Sequence, residues 1–202
     1  MMRMRLLPVL VAFLAAATLS GCAAVVVAGA AGGVMVAAER RQADVVVADE
    51  RIEITAATRI RSALDERGHV NVTSFNRVVL LTGEATTDAL RAEAERIAVS
   101  VPEVRKVVNE IQIKAPSWLT ARSGDAITTS QVKSRMLGSD KFSSLHVKVV
   151  TEAGVVYLMG LVTPAEADAA SDVARTTAGV AKVVRVFEYI PEPPPAQESK
   201  AN

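Results

Sequence analysis

One cysteine, two histidines and seven aromatic residues (four Phe, two Tyr, one Trp) are all that 202 residues contain of these types. A lone cysteine, Cys22, excludes an intramolecular disulfide and asks for another explanation. His69 and His146 stand far apart, each without a second His or a Cys nearby, whereas a metal site needs its ligands gathered in one place. Both therefore read as strand-entry residues. No nucleophile elbow and no glycine-rich phosphate loop occurs, so no catalytic residue and no metal ligand is assigned. An excess of one charge is also missing: 23 basic against 22 acidic residues leave a formal net charge of +1. That balance argues against a general nucleic-acid binder, which would be strongly basic, and leaves room for a local basic patch. Half of the chain is hydrophobic, mostly as Ala and Val, so any core is built from small side chains.

The N-terminus accounts for the cysteine. Arg3 and Arg5 precede Leu6–Leu19, fourteen residues without a charge. This is a signal-peptide n-region and h-region, too short to span a bilayer comfortably. The segment ends Leu19-Ser20-Gly21-Cys22, which resembles the lipobox of bacterial lipoproteins. That resemblance implies a covalent lipid on Cys22, cleavage before it, and stable anchoring by more than one acyl chain. Ala23, in place of Asp, favours delivery to the outer membrane. Cleavage takes two of the 23 basic residues and none of the 22 acidic ones, leaving a net charge of −1. The rival reading is one membrane span over Leu6–Ala38, which Gly21, Gly29, Gly32 and Gly33 weaken as a helix.

What the chain does contain is a repeat. VVLLTGEATTDA (Val78–Ala89) is echoed by VVYLMGLVTPAE (Val155–Glu166). At an offset of 77, His69, Val70, Val72, Leu81, Gly83 and Thr86 meet His146, Val147, Val149, Leu158, Gly160 and Thr163. One residue then drops out, and Val104, Lys106 and Val107-Val108 meet Val180, Lys182 and Val183-Val184 at an offset of 76.

Each copy spells the same order of elements. Ile52, Ala56, Ile60 and Leu64 recur every fourth residue, the stripe of an amphipathic helix. In the second copy Val132, Met136 and Leu137 are expected to face inward, with Ile127 less defined. HVNVTS and HVKVVT alternate with period two, RVVLLTG and GVVYLMG are Val- and Leu-rich, and the turns SFN and EAG join them into hairpins. Thr163-Pro164-Ala165-Glu166 is a capping box with proline at the first helical position. The helix it opens turns Ala167, Ala170 and Ala174 inward, as the first copy turns Leu90, Ala94, Ile97 and Ala98. Pro102 and Gly179 stop these helices before a last strand. Gly83 and Gly160 mark a turn or a close helix approach. The fold class is α+β: two tandem α-β-β-α-β units, each with helices on one face of a three-stranded mixed sheet. About 65 residues per unit is near the lower limit for a self-sufficient core.

The unit, with GVVYLMGLV on its second strand and GVAKVVRV entering its third, resembles the BON domain. Two units behind a lipobox resemble the dual-BON outer-membrane lipoproteins of Gram-negative bacteria, the DolP/YraP-like group. The resemblance covers about residues 50 to 190 and is more specific in the second copy. The expected organisation is a signal peptide (1–21), a lipidated apolar tether (22–48), BON domain 1 (49–114), a linker (115–123), BON domain 2 (124–190) and a Pro-rich tail (191–202). The resemblance implies a non-enzymatic protein, lipid-anchored in the outer membrane and facing the periplasm. It also implies binding of anionic phospholipid by the first helix of the second unit, and a link to assembly of outer-membrane β-barrels. It implies neither nucleic acid nor a small-molecule substrate, and no cofactor beyond the lipid on Cys22.

The residues for that surface are Trp118, Ile127, Lys133, Ser134, Arg135 and Leu137, with Leu119, Arg122 and Lys141 nearby. Tryptophan suits a lipid–water boundary, and each Lys or Arg beside an anionic surface contributes roughly 1 kcal/mol. In the bland alternative Ile127 and Leu137 are core, Trp118 packs between the units and the basic residues are solvated. A different function class remains open: a protein-interaction adaptor binding an assembly component through exposed sheet faces or edges.

Overall fold

The computed structural model describes residues 39–115 and 119–192, with side chains at 119–122 excepted. The signal segment, Cys22, Ala23–Ala38, Trp118 and the chain end from Pro193 lie outside the described residues. Helix α1 runs Ala43–Leu64 and buries Ala48, Ile52, Ala56, Ile60 and Leu64, a single stripe of every fourth residue. It begins before the boundary expected at 49, because Arg41 and Asp49 already tie this stretch to the folded body. The folded body therefore takes in residues 39–48, the last part of the stretch expected as tether.

Strands β1 (Gly68–Phe75) and β2 (Val78–Ala85) form the first hairpin. Its turn is only two residues, Asn76 and Arg77, with φ of 51° and 63°. The equivalent turn in the second copy is Ala153-Gly154, with φ of 50° and 75°. Two positive φ values in a two-residue loop match the twist of the flanking strands. One aspartate holds each turn: Asp49 accepts from Asn76 N (2.8 Å) and Arg77 N (2.7 Å). Asp125 accepts from Ala153 N (2.8 Å) and Gly154 N (2.9 Å).

Helix α2 (Asp88–Val99) follows with Thr87, not Thr86, as its N-cap, so the dropped residue lies at Thr86. Strands β3 (Lys106–Asn109) and β4 (Gln112–Ile113) both pair parallel to β2 in one continuous register. They are the single last strand expected from sequence, broken where Asn109 Oδ1 accepts from Ile111 N (3.2 Å) and Ile111 turns into the core. The first sheet thus counts four strands where three were expected. The second copy comprises α3 (Leu119–Leu137), β5 (Val147–Glu152), β6 (Val155–Val162), α4 (Pro164–Arg175) and β7 (Lys182–Tyr189), its sheet ordered β5-β6-β7. Helix α3 begins inside the expected 115–123 linker. Helix α4 carries the expected capping box: Glu166 N donates to Thr163 Oγ1 (3.2 Å) and Thr163 N to Glu166 Oε2 (2.9 Å).

The repeated glycines have a common cause. A Cβ on Gly83 would stand 2.1 Å from the His69 carbonyl oxygen, and one on Gly160 2.3 Å from that of His146. The close approach is therefore by the backbone of β1 at His69 and of the residue leading into β5 at His146, not by a packing α-helix.

Each sheet carries its helices on one face, and the other faces pack on each other. Phe75, Val78 and Leu80 meet Tyr157 and Met159 in a shared core. The sheet faces expected to be exposed are thus covered. Burial in this layer pushes the Tyr157 hydroxyl up to about 12. Polar contacts tie its margins: Lys148 Nζ donates to Glu53 Oε1 (2.6 Å), and Arg105 Nη2 and Asn76 Nδ2 donate to Glu188 (2.6 and 2.7 Å).

Glu152 lies in the same layer, accepting from Asn71 Nδ2 (2.8 Å). Burial raises its pKa, and the nearby Glu84 and Asp125 charges push the same way. A carboxyl raised by folding favours the native state at low pH and loses that contribution as pH rises through its folded value. Glu152→Gln, which keeps an oxygen for Asn71, is expected to melt above wild type at pH 7. The gap should close as pH falls below the ordinary carboxylate value of 4.5. Paired melting curves check this, and a lower-melting variant at pH 7 would refute it.

Candidate functional site

Helix α3 supplies the surface the sequence singled out. Thr128, Val132 and Met136 point into the fold at four-residue spacing. Leu137, expected inward, lies about 100° round the helix from Met136 and is 73% exposed. Ile127 is 59% exposed. The two are ten positions apart, about 80° in rotation and about 15 Å along the axis. Ser130 and Ser134, also exposed, fill the stripe between them. The face opposite the core is therefore apolar at both ends and hydroxylated in the middle.

Lys133 and Arg135 flank this stripe but have different fates. Lys133 makes no ion pair among the described residues and is exposed. Arg135 does not stand free for a headgroup. Its Nη1 donates to Thr177 Oγ1 (2.7 Å) and Val173 O (3.1 Å), and its Nη2 to Thr176 Oγ1 (3.1 Å). It clasps the C-terminal end of α4, where a cation complements the helix dipole. A shallow depression of about 700 Å³ between α3 and this end is lined by Ile127, Ser130, Ser134, Arg135 and Thr177. Trp118 lies outside the described residues, as do the side chains of Leu119 and Arg122. Lys141 is exposed beyond the helix.

Counted from the turn-holding aspartates, Asp49 and Asp125, the first copy places Arg51, Ala57 and Arg61 where α3 places Ile127, Lys133 and Leu137. Helix α1 instead exposes Val47 and Ile54, among charged residues.

A pair of arginines escaped the sequence reading. Arg40 holds Glu166 through both nitrogens (2.7 and 2.8 Å) and donates to Leu161 O (2.6 Å) in the second unit. Arg41 donates to Asp49 Oδ2 (2.8 Å) in the first unit and lies 4.0 Å over the Phe75 ring. Consecutive residues thus bolt the chain to both units. The Arg40 guanidinium holds the Glu166 carboxyl down to about 2. That contribution to stability is present above the ordinary value of 4.5 and is lost as pH falls towards 2.

Among the described residues no cluster of His, Cys, Asp and Glu could hold a metal ion. His146 Nδ1 lies 3.6 Å from Glu166 Oε1, and His69 sits in β1. No described helix is long and apolar enough to cross a membrane.

Comparison with known proteins adds to this geometry. The family model for the BON domain matches residues 54–115 and again 124–191. Over 184 residues the sequence is 34% identical to "Outer membrane lipoprotein DolP" of Haemophilus influenzae, covering 89% of this chain and 95% of that one. It is 36% identical over 152 residues to a "21 kDa hemolysin" of Actinobacillus pleuropneumoniae, covering 74% and 78%. It is 31% identical over 133 residues to "Osmotically-inducible protein Y" of Escherichia coli, covering 62% and 66%.

Proposed function

The chain belongs to the BON-domain family, and from that premise we propose that it is a non-enzymatic lipoprotein of the outer membrane whose second BON unit binds anionic phospholipid. Acylated Cys22 anchors it on the periplasmic side. Contact by α3 then sets how the folded body meets the bilayer, and the protein helps maintain envelope integrity and outer-membrane protein assembly. The lipobox and the name of the Haemophilus relative support the anchor and the place.

The observation that carries the lipid reading is the outer face of α3: Ile127 and Leu137 exposed, and Lys133 beside them without an acidic partner among the described residues. Two such side chains gain a few kcal/mol on leaving water, at about 25 cal/mol per Å². One lysine near anionic headgroups adds about 1 kcal/mol. That is weak for a soluble protein and sufficient to orient one already tethered by acyl chains.

The test uses the full chain with Cys22→Ser, which removes the acylation site, pelleted with vesicles of phosphatidylcholine alone or mixed with phosphatidylglycerol. Salt-sensitive binding to the anionic vesicles is expected, and Ile127→Asp/Lys133→Glu should weaken it at least about tenfold, or 1.4 kcal/mol. Arg135 is left intact because it holds α4. No binding to either vesicle would overturn the reading.

The adaptor reading keeps one specific support. The outer edge of β7 has no neighbouring strand among the described residues, and beside it lies the edge of β3, across a groove of about 440 Å³. An extended segment of an assembly component would add there as a further strand. On that reading envelope integrity survives substitutions on α3 that abolish vesicle binding.

A further inference from the structure

Helix α1 leaves one face of its own uncovered. Val47 and Ile54 stand on it 58% and 65% exposed, seven positions apart. Arg61, also exposed, lies seven positions further on. At about 100° per residue these three fall within about 20° of one line. Glu50 and Thr58, both exposed, lie about 40° to either side of it. Glu50 and Arg61 make no ion pair among the described residues. Arg51, about 60° off the line, is already held by Glu103. The stripe thus runs apolar, acidic, apolar, hydroxyl, basic, with Ile54 at its middle. The second unit has nothing like it: Ala126, Ser130 and Ser134 stand where the first has Glu50, Ile54 and Thr58.

We infer that this face is a contact between two copies of the chain, with α1 laid antiparallel on α1 of the second copy about a two-fold axis at Ile54. The order of residues makes the face self-complementary. Reversed about Ile54, position 47 comes opposite 61 and position 50 opposite 58, so Val47 of one copy covers the aliphatic stem of Arg61 in the other. Glu50 and Arg61 lie on the same side of the stripe, and rotation about the axis keeps that side. Glu50 of one copy then stands about 4.5 Å along the helix from Arg61 of the other. Two reciprocal ion pairs flank an Ile54–Ile54 contact, as an isologous interface requires. A parallel arrangement would instead set Glu50 against Glu50 and Arg61 against Arg61. One helix pair buries less than the ~1,200 Å² of a stable interface, so the dimer is weak, with a Kd on the order of 0.1–1 mM. The contact does not depend on the lipid reading. It draws on the anchor of that reading only for its strength in place, because two copies held on one bilayer meet at a raised effective concentration.

The experiment uses the full chain with Cys22→Ser, without lipid, in analytical ultracentrifugation between about 10 μM and 1 mM. A monomer–dimer equilibrium that weakens with salt is expected. Ile54→Asp should raise its Kd at least about tenfold, and Glu50→Arg or Arg61→Glu alone about threefold to tenfold. The double variant Glu50→Arg/Arg61→Glu rebuilds both ion pairs with the charges exchanged and should dimerise like the parent. Melting curves should stay near the parent's, since all three side chains are exposed. In this background Ile54→Cys supplies the only thiol. Mild oxidation should link it to its counterpart in the second copy, whereas Val99→Cys, at a site 60% exposed on α2, should stay unlinked. A chain that remains monomeric at about 1 mM would overturn the inference and leave this face to a different partner. Self-association that Ile54→Asp leaves intact, or that Ile54→Cys fails to trap, would place the contact elsewhere and overturn it as well. A double variant as weak as the single ones would overturn the antiparallel pairing. None of these outcomes bears on vesicle binding by α3.

Discussion

Gly160→Ala is expected to destabilise the protein by roughly 3 kcal/mol, lowering its melting temperature by roughly 6–12 °C. The new Cβ would sit 2.3 Å from the carbonyl oxygen of His146, the residue that leads into the adjacent strand β5. That atom is backbone next to Val147, which pairs with Gly160 itself, so it cannot swing aside as a side chain would. Relief requires β5 and β6 to part, and β6 is the central strand of its sheet. Gly83→Ala should be at least as severe. Its Cβ would meet the His69 carbonyl oxygen at 2.1 Å, and its φ of +106° disfavours any side chain. The pair separates two causes, since Gly160 carries only the steric one. Melting temperatures of both variants within about 2 °C of wild type would sink the argument.

Asp49→Ala should cost as much or more, roughly 3–5 kcal/mol. Asp49 is almost fully buried and accepts from four donors: Ser74 Oγ, Asn76 N, Arg77 N and Arg41 Nη1. Its removal strands two amides in a turn of positive φ and leaves the Arg41 guanidinium with Glu39 as its one remaining acidic partner among the described residues. Asp125, its counterpart, offers a control. It accepts only from Ala153 N and Gly154 N among the described residues, near the surface, where water can replace it. Asp125→Ala should therefore cost about 1 kcal/mol. Urea unfolding midpoints decide the matter. Equal losses in the two variants would mean that buried donors are not what Asp49 serves.

The signals legible in sequence were local. The capping box at Thr163 needs four consecutive residues and says what the structure says. The stripe in α1 and the alternating hairpin strands are likewise carried by short periods. The meeting of the two sheets was also written, in the unbroken apolar runs of β2 and β6, where Leu80, Tyr157 and Met159 interrupt any in–out alternation. A reading that gave each sheet one covered face overlooked it. Leu137 was misplaced because adjacent positions on a short apolar stretch do not reveal which one the helix turns inward. Arg135 holds Thr177, 42 positions later, a distance at which no periodicity speaks. In sequence, Asp49 and Asp125 differ from the other acidic residues only by their spacing ahead of the hairpins, and nothing local shows that Asp49 is buried.

The layer between the sheets is built from matching positions. Val78 and Val155 occupy the same place in the two copies, as do Leu80 and Tyr157, and Val108 and Val184. A face that meets its own duplicate is the arrangement of a two-fold symmetric dimer. Here the two halves share one polypeptide. In such a pair only the inner surfaces must stay mutually compatible, and the outer ones are free to drift apart. The exchange of Arg51, Ala57 and Arg61 for Ile127, Lys133 and Leu137 lies on an outer surface. One half could thus acquire a sticky exterior without endangering the joint that holds both.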